Sequence, residues 1–178
     1  HEDSVSEILK FLKRDSITLD PTFQRDDVWD DVRRSEFIES IILDIPIPPL
    51  FVNVEEDGSF IIIDGRQRIT AIRNFILGFG EDKKNVKFLT LKGLKILKEL
   101  NGLKFDDEEF PQEFRNRVED YKLLTYRVTS IPSSLVIYDI FKRLNTKGTP
   151  LYPQEIRNAL YQGKATALLN RIAISEEF

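Results

Sequence analysis

The amino-acid sequence predicts an α+β domain of short strands and helices with a helical C-terminal extension. Three observations carry this. Residues 50–54, 59–63 and 121–130 are short runs rich in β-branched and aromatic residues, as strands require. Apolar residues recur at helical spacing through Phe37, Ile38, Ile41, Ile42 and Ile45, and again through Ile69, Ile72 and Ile76. Beyond about residue 131 the pattern is helical, interrupted by one loop. With 178 residues, 41% of them hydrophobic and 11% aromatic, the chain can bury one core. We therefore expect one domain over 1–178, with a core at about 15–130, a charged insertion at about 81–120 and the extension at about 131–178. A chain that begins at His1 and stops at Phe178 after a helical pattern is expected to be a piece of a longer protein.

In chain order, Ile8, Leu9 and Leu12 predict a short first helix, and Ile17 to Leu19 an extended segment that turns at Asp20-Pro21. The helix through Phe37 to Ile45 must stop at Pro46, Pro48 and Pro49, which lack an N–H and clash with the preceding turn. Leu50 to Val54 and Ser59 to Ile63 form a hairpin through Glu55-Glu56-Asp57-Gly58, since Asp-Gly suits a tight turn. The next helix ends at Gly78 and Gly80. Residues 81–120 are charged and weakly periodic, with lysines at 83, 84, 87, 92, 95 and 98, and are expected to pack loosely. Tyr121 to Ser130 alternates as a strand, and Ser133-Ser134 caps a helix running to about Leu144. A loop over 145–150 and two helices, around 156–161 and 165–174, close the chain.

Composition narrows the function. The balance of 26 basic against 30 acidic residues gives a net charge of −4, so no global field draws in nucleic acid. No cysteine is present, which removes disulfides, thiolate metal sites and thiol nucleophiles and fits a reducing compartment. No apolar stretch approaches the roughly 20 residues of a membrane span, so a cytoplasmic protein is expected. The acidic run Asp26, Asp27, Asp30 and Asp31 precedes a helix, where the dipole favours carboxylates, and is read as a helix start rather than a metal site.

The segment FIIIDGRQRITAIRNFI, residues 60–76, concentrates the chemistry. A β-branched run stops at Asp64-Gly65 and an amphipathic helix begins at once. Gly65 permits a sharp turn, and the first N–H groups of the helix have no internal partner. Arg66 and Arg68 place guanidinium groups where the helix dipole opposes them, an arrangement that an anion would relieve, and phosphate is the natural one.

Three blocks show a resemblance. PTFQRDDVW (21–29), IDGRQRITAI (63–72) and FKRLNTKGTPL (141–151) are similar, in order and spacing, to the P-x-Y-Q-R-x-x-V-W, D-G-Q-Q-R-L-T-T-L and F-x-R-L-N-x-x-G-x-x-L motifs of the N-terminal domain family of GmrSD-type restriction endonucleases. The match covers roughly residues 4–165, and Arg66 stands where the family usually has glutamine. The resemblance implies a ParB/sulfiredoxin-like core with a small mixed sheet, and a site that binds and hydrolyses a nucleoside triphosphate with Mg2+ in a domain that regulates an effector of a defence system against phage or modified DNA. It implies Asp64, Gln67 and Arg68 as the catalytic set, with Arg68 on a phosphate, Gln67 on a phosphate or water, and Asp64 on Mg2+ or a water. Gln24, Arg25, Gly65, Arg66, Thr70, Arg143 and Asn145 are the expected nucleotide-binding residues. Thr70 has two open roles, as a phosphate donor or as a partner of its own helix backbone. Arg143 and Asn145 also suit a helix end on structural grounds alone. Relatives often carry an HNH nuclease domain downstream. A single histidine, at position 1, means that this chain lacks that chemistry, and DNA would be contacted through a partner or effector domain. The other reading is a ParB-like switch that binds nucleotide or DNA without turning it over, and a weaker one is direct nicking of DNA.

Overall fold

The computed structural model describes residues 1–18, 29–80 and 86–129, all within one compact unit of His1–Leu19 and Asp27–Ser130. The first Gln-Arg block and everything predicted beyond residue 129, including the helical extension, lie outside the described residues. The described part is α+β. In order it comprises β1 (Glu2–Ser4), α1 (Val5–Lys13), β2 (Ile17–Thr18), α2 (Asp31–Ile42), β3 (Leu50–Val54), β4 (Phe60–Asp64), α3 (Arg66–Ile76), a 3-10 turn (Lys98–Leu100), α4 (Gln112–Asp120) and β5 (Lys122–Thr129).

The strands form one mixed sheet in the order β1-β5-β3-β4-β2. β3 and β4 are the predicted hairpin. Its turn is closed by Glu55 N–H donating to Ser59 O (2.9 Å) and Ser59 N–H to Asp57 Oδ1 (2.9 Å), with Gly58 at φ +82°. β5 runs parallel to β3, β2 parallel to β4, and β1 antiparallel to β5. One sheet face carries Leu50, Val52, Leu123 and Thr125, each 5% exposed or less, against the helices. The core continues through Val5, Ile8, Ile38, Ile41, Ile42, Ile69, Ile72 and Phe75. β1 is too short to be visible in a pattern. Its serine completes a capping box on α1, Ser4 Oγ accepting from Glu7 N–H (3.2 Å) while Glu7 Oε2 accepts from Ser4 N–H (2.7 Å).

At the start of α2, Asp30 is the N-cap, its Oδ1 accepting from Arg33 N–H at 2.8 Å, as a helix-start reading of the acidic run requires. The expected loose packing of residues 81–120 is overturned for the part described, 86–120. Leu89, Leu91, Leu94, Leu100, Phe105, Phe110 and Val118 are each 6% exposed or less and belong to the core. Phe75 stacks edge-on with Phe105 and Phe110, at centroid distances of 5.4 and 5.7 Å. Two buried polar residues of α2 hold the segment. Glu39 accepts from the N–H groups of Ile96 (3.0 Å) and Leu97 (2.8 Å), and Ser35 Oγ accepts from Lys92 N–H at 3.1 Å. Helical periodicity is absent there because the chain is mostly turns tied down by single apolar anchors, a form that neither a 3.6- nor a 2-residue period reveals.

Candidate functional site

β4 ends at Asp64 and α3 begins at Arg66, so one glycine makes the whole turn. Phe51 lies opposite Asp64 while Val52 lies opposite Ile62, which leaves Ile63 as an extra residue in β4. Such a bulge bends the strand and re-aims the side chains after it. Gly65 then takes φ +103°, a conformation that L residues rarely adopt, and a Cβ there would collide with Leu50 Cδ2 and stand 3.1 Å from Arg68 Nη2. Gly65 is the N-cap of α3 and has no side chain to cap the helix, so the first turn of α3 is not closed by a side-chain acceptor.

Arg68 points inward. Its side chain is 10% exposed; Nη1 donates to Pro48 O, and Nη2 donates to Pro49 O (3.3 Å) and to Asp64 Oδ2 (2.7 Å). Burial works against its charged form, and the Asp64 carboxylate opposes that effect. This guanidinium ties the proline-rich link before β3 to the end of β4 and fixes Asp64 beside the turn. Arg68 thus donates to three internal acceptors.

Asp64 is more open, its side chain 37% exposed, with one oxygen on Arg68. Gln67, in the first turn of α3, has a buried Oε1 with no hydrogen-bond donor. Arg66 is the first residue of α3 and is half-buried. Thr70 is 8% exposed, one turn into the helix. The structure thus brings Asp64, Gly65, Arg66, Gln67 and Arg68 together at one strand-to-helix turn, whereas Gln24, Arg25, Arg143 and Asn145 lie outside the described residues. Among the described residues no group of three or more His, Cys, Asp or Glu side chains could hold a metal ion. A lone carboxylate such as Asp64 still fits Mg2+ that takes its remaining ligands from phosphates and water.

Three residues beside the turn escape a sequence reading. Phe51, Asn53 and Tyr126 share the sheet face opposite the core, the same face as Asp64 by register. The Phe51 and Tyr126 rings lie 5.0 Å apart, tilted by 34°, and Tyr126 is 48% exposed. A polar Asn53 within the apolar run LFVNV was the available signal.

A family model for the N-terminal domain of GmrSD restriction endonuclease matches residues 5–162. No curated protein and no solved structure matches the chain. No helix among the described residues is long and apolar enough to cross a membrane. The family match spans most of the chain and includes the Asp64–Arg68 turn, so the chain belongs to the GmrSD restriction endonuclease N-terminal domain family and is a component of a restriction or phage-defence system.

Proposed function

We propose that this domain binds a nucleoside triphosphate at the Asp64–Arg68 turn and hydrolyses it with Mg2+ to regulate the nuclease action of its restriction system in the cytoplasm. The observation that carries the reading is the first turn of α3: an 11-residue helix opened by a glycine that offers no side-chain cap. The positive end of a helix dipole and its N–H groups suit a phosphate, and the missing Cβ at Gly65 lets one approach the backbone. Within the ParB/sulfiredoxin-like architecture that the family resemblance implies, this is the expected phosphate position.

Each side chain then has a part. Gln67 Oε1, an acceptor without a donor, is suited to orient a water toward the terminal phosphate. Asp64 would hold Mg2+, which when bound neutralises charge on the phosphate oxygens. Arg68 does not need to touch phosphate, since it fixes Asp64 and the link at Pro48-Pro49. Catalysis of this kind rests on position and charge. A second reading, binding without turnover, is favoured by one observation. Asp64, the carboxylate at the turn, is engaged by Arg68 and is therefore a poor general base.

Calorimetric titration with ATP, GTP, CTP and UTP in Mg2+, paired with phosphate release, tests both. Binding with release supports hydrolysis, binding without release supports the switch, and no binding to any of the four rejects both.

A further inference from the structure

The sheet face next to the turn has the composition of a nucleobase subsite. Phe51 sits opposite Asp64 in the β3–β4 ladder and opposite Tyr126 in the β3–β5 ladder, so the aromatic pair adjoins the strand end from which α3 departs. Tyr126 is 48% exposed on the face turned away from the core, and the pair is flanked by the exposed apolar side chains of Ile61 (43%) and Leu124 (41%). An exposed ring backed by a second ring is a stacking surface for a planar base.

Asn53 gives this surface direction. It follows Phe51 by two residues on the same face, roughly 7 Å further from the turn. It is 7% exposed, and its Oδ1 has no donor. The orientation of the amide is set by Glu55, whose Oε1 accepts from Asn53 Nδ2; a carboxylate can only accept, so Oδ1 must face the other way as an acceptor. A buried acceptor left empty is costly. Each nucleobase carries an N–H on its Watson–Crick edge that would fill it.

We propose that Phe51 and Tyr126 stack the base of the nucleotide whose phosphates lie at α3, with Asn53 Oδ1 accepting an N–H from the base edge. The inference rests on the phosphate reading of the Asp64–Arg68 turn and adds the second half of the same ligand. Affinity then has a base-dependent part carried by β3 and β5 and a phosphate part carried by α3.

Inorganic tripolyphosphate, which has the phosphates and no base, separates the two. In titrations with Mg2+, the intact domain should bind at least one of the four nucleoside triphosphates roughly 10-fold or more tightly than tripolyphosphate, the range expected of one stacked base. Tyr126→Ala should remove most of that advantage and leave tripolyphosphate affinity unchanged. The half-exposed tyrosine should be replaced without loss of fold, which thermal melting verifies, and Tyr126→Phe, which keeps the stacking ring, should retain the advantage. Equal affinity of tripolyphosphate and all four nucleotides, or a nucleotide advantage untouched in Tyr126→Ala, overturns the base subsite while leaving the phosphate site standing. Binding of neither kind of probe overturns the phosphate reading and this proposal with it.

Discussion

Replacing Arg68 by alanine distinguishes a positioning residue from a phosphate ligand, because the two roles predict different observables. In the structure the guanidinium serves Pro48 O, Pro49 O and Asp64 Oδ2. Hydrogen bonds from a charged donor contribute about 1.5–3 kcal/mol each, and removing the donor leaves the acceptors behind. The bond at 3.3 Å is long and Asp64 is 37% exposed, so water recovers part of the loss. A destabilisation of about 3–4 kcal/mol results, and for a domain of this size each kcal/mol lowers Tm by roughly 2–4 °C. Arg68→Ala should therefore melt roughly 6–16 °C lower by differential scanning calorimetry without any nucleotide present. Arg68→Lys should recover only part of the loss, since one ammonium cannot reproduce the fork. An Arg68→Ala protein that melts like the parent yet no longer binds nucleotide would refute the positioning role and support Arg68 as a direct phosphate ligand.

Contacts elsewhere in the domain set three other outcomes. Gly65→Ala forces a side chain into φ +103° against Leu50 Cδ2, and should cost about 2–4 kcal/mol in urea denaturation. Phe110→Ala empties a site that is 1% exposed beside Phe75 and should cost about 3–5 kcal/mol, whereas a loosely packed insertion would lose under about 1. Asp31 is held below its ordinary carboxylate range, first by its hydrogen bond to Lys92 and also by Arg34. Its contribution is present above the unfolded-state value near ~4 and fades as pH falls through the lower folded-state value. Because this carboxylate is 42% exposed, the effect should be under about 1 kcal/mol, and the acid limb of the Tm–pH curve should shrink in Asp31→Asn.

The elements with a clear period are legible in the sequence. The hairpin through Asp57-Gly58, the helix after Gly65 and the strand after Tyr121 are all found within a residue or two of their expected bounds. The 86–120 segment is not, because its hydrophobic anchors are spaced by turns and its backbone is satisfied by Glu39 and Ser35 from a distant helix. At the site, the turn itself could be read from Asp64-Gly65, since only a glycine fits there. The direction of Arg68 could not, because sequence gives the charge of a side chain and not its acceptors, and the carbonyls it meets belong to prolines some 20 residues earlier. Phe51, Asn53 and Tyr126 come together beside the turn only through the pairing of β3 with β4 and with the distant β5, which no local pattern in the sequence reveals.

Phosphate bound at the start of α3 would lie against the backbone N–H groups of its first turn. Backbone amide resonances of the 15N-labelled domain, followed by NMR during titration with Mg2+ and nucleoside triphosphate, test this placement most directly. The largest shifts should fall on the N–H groups of Gly65, Arg66 and Gln67, and Gln67→Glu should suppress them while preserving the fold, since a carboxylate suits a helix N-terminus but repels phosphate. Saturable shifts that leave those three amides unmoved would contradict it.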